Sequence, residues 1–257
     1  MTQHRPRGEA VRIPQTLVEA LGRARKLAVL TGAGISAESG VPTFRDAQTG
    51  LWARYDPQDL ATPEAFRRDP KLVWEWYAWR RSLVAAARPN PGHLALVRMQ
   101  VSFPGFALIT QNVDGLHARA GSRDVVELHG NIARIVCSAG CGVVEAFDPD
   151  AAPPRCPKCA AWLRPDVVWF GEPLPAAALE SARRAAADCE IFFSVGTSAL
   201  VYPAADLPRV AREAGALLVE INPDQTPLSA LADFVLSGPA GVVLPALLDA
   251  TERAGKA

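Results

Sequence analysis

Seven apolar segments, each three to five residues long, punctuate this 257-residue chain: Leu27–Thr31, Phe106–Thr110, Val125–Leu128, Val167–Phe170, Ile191–Val195, Leu217–Ile221 and Phe234–Leu236. They are short and lack polar alternation, the pattern of strands covered on both faces. Helical patterns lie between most of them, at 14–26, 63–68, 71–87, 91–100, 176–188, 204–214 and 240–253. Buried strands alternating with helices point to an α/β fold around a parallel sheet. Two stretches break the alternation. From Val41 to Pro57 the sequence is rich in Pro, Gly, Asp and Gln, which predicts a long loop of the kind that tends to carry function. From 131 to 165 it is rich in Cys, Pro and Gly and has the look of an insertion.

That insertion holds four of the five cysteines, as Cys137-x-x-x-Cys141 and, after fourteen intervening residues, Cys156-x-x-Cys159. Two cysteine pairs on separate turns, brought together by a hairpin, make a tetrahedral thiolate site for Zn²⁺. Sulfur at all four positions leaves no open coordination site, so the metal is expected to be structural. The fifth, Cys189, opens an apolar strand and is expected to be a small core residue. Clustered cysteines favour metal binding in a reducing compartment over a disulfide framework. Met1 to Ala10 lacks the apolar core of a secretory signal, and no segment has the length of a membrane span, so a cytoplasmic protein is expected. Twenty-seven basic residues balance 27 acidic ones. Without a net field, no binding to nucleic acid or to a membrane is expected, and recognition falls to specific pockets.

Three further motifs carry chemistry. Gly32-Ala33-Gly34-Ile35-Ser36-Ala37 follows the first strand and fits a dinucleotide fingerprint. Its glycines would let backbone approach a pyrophosphate, with donors from a helix N-terminus. No acidic strand end follows at the spacing a dehydrogenase needs; the loop Pro42-Thr43-Phe44-Arg45-Asp46 stands there instead. Gln111-Asn112-Val113-Asp114 follows the strand at 106–110, and His129 follows the one at 125–128. Polar groups at the C-terminal ends of parallel strands lie where such sheets bind ligands, and a histidine there can act as a base near neutral pH. His93 and His117 fall on helical patterns with no convergent partner visible in sequence.

Taken together, these segments resemble the sirtuins over nearly the whole chain. The resemblance rests on Thr31 to Ser36, Gly40 to Asp46, Thr110 to Gly115, Leu128-His129-Gly130, both cysteine pairs, Phe170-Gly171-Glu172, Gly196-Thr197-Ser198 and Ile221-Asn222. It implies one catalytic domain at 1–257. Within it, a Rossmann-like NAD-binding core spans 10–41, 104–130 and 166–257, with a helical, cofactor-loop module at 42–103 and a zinc-ribbon module at 131–165. The implied activity is NAD-dependent removal of acyl groups from protein lysines by a monomer. The amide oxygen of an acyl-lysine displaces nicotinamide to give an ADP-ribosyl imidate, and His129 then acts as general base on a ribose hydroxyl. The products are nicotinamide, O-acyl-ADP-ribose and free lysine. The resemblance further assigns Asn112 and Asp114 to catalysis and to the nicotinamide and ribose, with Gln111 near the ribose. Gly32, Ala33, Gly34, Ser36, Phe44 and Arg45 would line the phosphate and nicotinamide side, and Gly196, Thr197, Ser198, Asn222 and Ala240 the adenosine half. Substrate backbone would pair along Phe170, Gly171 and Glu172 and along Leu200 and Val201.

A final constellation bears on the acyl group. Tyr77 and Arg80 are three apart on the helix predicted at 71–87 and share a face. An arginine can clamp a carboxylate through two hydrogen bonds and a tyrosine hydroxyl can add a third. With a small residue at Ala61, this pair is similar to that of sirtuins that prefer negatively charged acyl groups, so succinyl and malonyl are expected beside acetyl. An ADP-ribosyltransferase or NAD glycohydrolase using the same site, and a non-catalytic NAD-binding scaffold, are the competing readings.

Overall fold

The computed structural model describes residues 11–42, 55–148 and 150–254. The chain begins with α1 (Gln15–Arg23), β1 (Lys26–Thr31) and a single turn, α2 (Gly34–Ala37). Four helices follow: α3 (Pro57–Leu60), α4 (Pro63–Arg68), α5 (Pro70–Ala86) and α6 (Pro91–Ser102). Three of them start alike, with a polar cap and then a proline. The Thr62 hydroxyl accepts from the Ala65 N–H at 3.0 Å, Asp69 accepts from the Leu72 N–H at 2.9 Å, and Asn90 accepts from the Gly92 N–H at 2.9 Å. Proline at the first helical position costs nothing, because its missing N–H would have had no intrahelical partner.

The next elements are β2 (Gly105–Thr110), α7 (Leu116–Ala120), β3 (Val126–Glu127), β4 (Gly130–Cys137) and β5 (Leu163–Val167). The chain closes with α8 (Ala176–Asp188), β6 (Ile191–Val195), α9 (Leu207–Glu213), β7 (Leu217–Asn222), β8 (Phe234–Ser237) and α10 (Ala240–Ala254). Six strands form one parallel sheet in the order β3-β2-β1-β6-β7-β8. The chain runs outward from β1 to β2 and β3, then returns to β6 and runs the other way. β1 and β6 therefore flank the topological switch point, where sheets of this kind hold ligands. Every residue of β6 is buried, as is every residue of β1 after Lys26.

Two apolar layers cover the sheet. One joins Leu17 and Leu21 of α1, Leu96 and Met99 of α6 and Leu244 and Leu247 of α10 to Val29 and Phe193. The other joins Ala182 and Ala186 of α8 and Leu207 and Ala211 of α9 to Leu30 and Phe192. Cys189 lies in the second layer, 8% exposed, its thiol donating to the Ala186 carbonyl at 3.3 Å. It is a core residue, as expected.

The segment Val167–Phe170 does not form a strand of the parallel sheet. Val167 closes β5, which pairs antiparallel with β4 in a separate two-stranded sheet, and the chain then turns through Trp169 to Glu172. Its apolar character serves another purpose: Trp169 packs with Phe66, Trp76 and Tyr77 in a third cluster. α5 joins this cluster to a fourth, around Trp74, Ile135, Cys156 and Leu163, so the helix that carries Tyr77 and Arg80 contributes to both clusters. Arg119 of α7 anchors its far end, donating to the Val84 and Ala87 carbonyls at 2.9 and 2.6 Å.

His93 and His117, which showed no partner in sequence, meet in the core with ring centroids 4.9 Å apart. The His117 Nε2 lies 2.9 Å from the Thr31 hydroxyl, which itself donates to that of Thr110 at 2.8 Å. Burial pushes His93 down to about 4 and His117 to about 3. A histidine that protonates less readily when folded contributes stability above its unfolded value near 6.5, and this is lost as pH falls below that value. Lowering the pH from 7 to 5 is expected to cost about 2 kcal/mol per histidine. Denaturant midpoints at the two pH values, measured for the parent and for His93→Gln, check this: the acid-induced drop should shrink in the variant.

Candidate active site

The site is built where two glycine loops meet at the ends of β1 and β6. The Gly34 N–H donates to the Gly196 carbonyl at 2.9 Å, and the Gly32 N–H continues the sheet to Val195 at 3.0 Å. A Cβ on Gly34 would stand 2.7 Å from the Gly196 Cα, and one on Gly32 would stand 2.8 Å from the Gly196 carbonyl. Gly196 has φ +60°, and a Cβ there would meet the Ile35 nitrogen at 2.5 Å. The loop's own N–H groups are largely occupied by this packing. The Ile35 and Ser36 N–H groups bond to Gly32 and Ala33, so the donors of Gly32, Gly34, Ile35 and Ser36 are all engaged within the protein. α2 is one turn long, and its glycines are required first for the contact between the two loops.

Polar side chains lock onto this backbone. The Asn112 amide donates to the Gly32 carbonyl at 3.0 Å and to the Ser36 hydroxyl at 3.2 Å. Ser36 donates to Asp114 Oδ2 at 2.7 Å, and Asp114 Oδ1 accepts from the Leu116 N–H at 2.9 Å. With both amide protons engaged, the Asn112 carbonyl oxygen remains as the acceptor it can offer a ligand. Burial pushes the Asp114 carboxyl above its ordinary value, opposed by its hydrogen bonds from Leu116 and Ser36.

His129 follows β3, and its Nδ1 lies 2.8 Å from the Gln111 carbonyl. A carbonyl only accepts, so Nδ1 carries the proton and Nε2 keeps its lone pair. Burial lowers the His129 pKa below 6.5, partly offset by this hydrogen bond, which leaves the ring neutral and basic at pH 7. Gln111 thus acts through its backbone as well as its position.

On the other side of the switch point, Asn222 at the end of β7 donates to the Thr197 carbonyl at 2.7 Å, and the Thr197 hydroxyl lies 3.2 Å from that of Ser194. Ser198 is half-buried beside it. Ala240 opens α10, and the next N–H, from Gly241, donates to the Glu38 carboxylate at 2.6 Å. Glu38, overlooked in sequence, ties this helix to the loop after α2. Phe44 and Arg45 lie outside the described residues.

The four module cysteines converge, with all their sulfurs within 4.8 Å of one another and those of Cys137 and Cys159 3.5 Å apart. Zinc–sulfur bonds of about 2.3 Å in a tetrahedron imply sulfur separations of about 3.8 Å, so the set fits one zinc ion. The thiols bias one another's ionisation in opposite directions. Backbone donors from Cys141 and Ala139 pull Cys137 down, while the crowding sulfurs of Cys159 and Cys137 push Cys141 up. A dication resolves that conflict.

Residues 32–203 match the Sir2 family. The chain belongs to that family. An NAD-dependent protein deacylase 2 of Pyrobaculum aerophilum is 53% identical over 239 residues, covering 92% of this chain and 95% of its own. An NAD-dependent protein deacylase of Thermus thermophilus is 57% identical over 224 residues, covering 84% and 86%. Among solved structures, a Sir2 homologue in complex with NAD superimposes with a TM-score of 0.87 at 43% identity, covering 96% of this chain and 97% of that one. Within the Sir2 fold, the parallel sheet and the four-cysteine cluster stand as the sequence foretold.

Two of the remaining sequence candidates, Ala61 and Tyr77, are tied to the turn after β5. Ala61 is buried, and its carbonyl accepts from the Phe170 N–H at 2.9 Å. Tyr77 is buried and its hydroxyl accepts from the Trp169 indole at 3.0 Å. Half-buried Arg80 lies over the Trp76 ring, 5.1 Å from its centroid. Phe170, Leu200 and Val201 expose large apolar side chains, and Gly171 has φ +86°. The Glu172 side chain turns inward to Arg164, which sequence reading gave no role.

The module is expected to contribute folding energy rather than chemistry. Purified protein should contain one zinc per chain by elemental analysis, and Cys156→Ala should lower the melting temperature or prevent folding. Metal-free protein that is folded and active would refute the structural assignment.

Proposed function

We propose that this protein removes acyl groups from protein lysines at the expense of NAD, giving nicotinamide, O-acyl-ADP-ribose and free lysine, and that it accepts succinyl and malonyl as well as acetyl groups. The observation that carries the chemistry is His129, a neutral imidazole with Nδ1–H tied to Gln111 and Nε2 left as a base at the sheet's switch point. A base so prepared can take a proton from a ribose hydroxyl. Asn112, its amide protons fixed by Gly32 and Ser36, presents a carbonyl oxygen suited to an amide N–H of nicotinamide. Asp114 offers a carboxylate to the same region, and Gln111 lies beside the base. Ala33 and the loop carrying Phe44 and Arg45 take the phosphates; Gly196, Thr197, Ser198, Asn222 and Ala240 take the adenosine half. The segments 170–172 and 200–201, which expose Phe170, Leu200 and Val201, take an extended peptide as an added strand. The core at 10–41, 104–130 and 166–257 binds NAD, while modules 42–103 and 131–165 shape the acyl tunnel and the zinc site. A reading as a bare NAD-binding scaffold gives the prepared base no task.

His129→Ala is expected to lower deacylation by about 10²–10⁴ or more while leaving NAD affinity within a few-fold. Calorimetry for NAD and a turnover assay on one preparation check both halves. Because the neutral ring is the active form, the parent's acid limb should lie below 6.5.

The acidic-acyl preference rests on Tyr77 and Arg80. Burial pulls Arg80 below the usual guanidinium range, still far above neutral pH, and pushes the Tyr77 phenol up, so the first can meet a carboxylate as a cation and the second stays protonated to donate. Truncating one member of a desolvated charge pair typically costs about 2–5 kcal/mol, or roughly 30-fold and more. Arg80→Met should lower succinyl-lysine kcat/KM by that factor and leave acetyl-lysine turnover unchanged or higher. Assaying one peptide in both acylated forms decides it, and equal loss on both would make Arg80 structural.

A further inference from the structure

We propose that Trp169 is a positioning residue for acyl selection: its indole N–H donates to the Tyr77 oxygen and thereby turns the single phenolic proton toward the carboxylate of an acidic acyl group. This rests on the acidic-acyl reading of Tyr77 and Arg80.

The argument begins with donor counting. An indole nitrogen only donates, whereas a phenol has one proton and two lone pairs. The Trp169 Nε1 stands 3.0 Å from the Tyr77 oxygen, so the tyrosine must be the acceptor in that bond. One lone pair is thereby filled and one direction of approach closed, and the phenolic proton must point elsewhere. A freely turning hydroxyl would offer a carboxylate either its proton or its lone pairs, the second repulsive. The indole removes that choice before substrate arrives, and such preorganisation strengthens binding without a new contact. It also polarises the phenol, since a hydroxyl that accepts a hydrogen bond donates a stronger one.

Trp169 is itself held on every side. It is 2% exposed and Tyr77 1%. Phe66 packs against it with centroids 5.2 Å apart, and the Arg164 guanidinium lies over its ring at 3.3 Å. Arg164 grips Glu172 with both terminal nitrogens, at 2.6 and 2.9 Å, and the Glu172 carboxylate accepts from the Trp169 backbone N–H at 2.8 Å. Arg164 also donates to the Val167 carbonyl at 2.7 Å, closing the turn. Since Phe170 bonds to the Ala61 carbonyl, residues 169–172 fasten both candidate walls of the acyl pocket, Tyr77 through a side chain and Ala61 through backbone. Arg164 lies on the strand that leaves the zinc module, so that module braces the selecting pair from behind.

The test uses full-length protein and one peptide carrying acetyl- or succinyl-lysine, with the ratio of the two kcat/KM values as readout. Two substitutions remove the N–H: Trp169→Phe, and a benzothiophene analogue of tryptophan at position 169, which replaces the N–H by sulfur and keeps the ring's shape. Each is made in the parent and in Tyr77→Phe. Loss of one neutral hydrogen bond should lower the succinyl-to-acetyl ratio about three- to tenfold, mainly through the succinyl KM. In the Tyr77→Phe background neither change should lower the ratio further, because the hydroxyl they act through is gone. An unchanged ratio in the analogue, with a lowered ratio in Tyr77→Phe, overturns the positioning role while leaving the acidic-acyl reading intact. Equal losses on both peptides overturn it as well, by showing that Trp169 only packs. A ratio indifferent to Tyr77→Phe and Arg80→Met sinks the acidic-acyl reading, and the inference falls with it.

Discussion

The contact between Gly34 and Gly196 is the constraint on which the rest of the site depends. It brings the loop after β1 within van der Waals reach of the loop after β6, across the seam where the sheet reverses its order. No side chain fits between them, because even a Cβ would stand under 3 Å from backbone on the other side. With the two loops closed on each other, Ser36 and Gly32 stand where Asn112 can reach both, and Asp114 completes the set through Ser36. A fixed backbone crossing thus sets the rotamers of three polar side chains. Sites on rigid elements hold their geometry better than sites on free loops, and this one is pinned by two strands at once.

Burial is the second theme, and it acts on each ionisable group in a different direction. It holds His129 neutral, which suits a base, while a carbonyl fixes which nitrogen has the lone pair. It presses on Asp114, whose two oxygens are met by Leu116 and Ser36. It leaves the paired histidines beneath the site uncharged, and His117 anchors Thr31 and through it Thr110. Thr110 in turn accepts from the Asn112 backbone N–H at 3.0 Å, so the packing under the sheet reaches the residue that grips Gly32 and Ser36. Low dielectric makes each of these hydrogen bonds stronger and each missing partner more costly.

A separate mechanical unit lies away from the glycine crossing. α5 presents Trp74 to the zinc module and Trp76 and Tyr77 to the helical module, and the turn at 169–172 bridges to Ala61. The four-cysteine cluster sits at the ends of the β4–β5 sheet from which Arg164 and Trp169 are hung, and a zinc ion there would stiffen it. In the proposed reading, chemistry and acyl choice fall to different parts of one chain, so that changes in selectivity need not disturb the base.

Several features were legible in the sequence because they depend on local pattern. Apolar runs and proline-marked starts located most of the helices and the parallel strands, and thiol spacing alone announced a four-sulfur site. The strand-end positions of Asn112, Asp114 and His129 followed from the same periodicity. Other features were not, since they arise from groups remote in sequence. Val167–Phe170 has the composition of a buried strand, but only packing could show that Trp169 leaves the sheet to reach Phe66 and Tyr77. The glycines of the first loop matched a dinucleotide fingerprint, but only the strand order shows that they also seat Gly196. His93 and His117 gave no sign of each other across 24 residues until α6 and α7 set their rings together. Periodicity and spacing are properties of neighbours along the chain, so the sequence determined elements, ligand types and the chemistry on offer. Which donors remain for a ligand, which histidine keeps a lone pair and which indole orients a phenol depend on distances between elements, and those the tertiary structure alone decided.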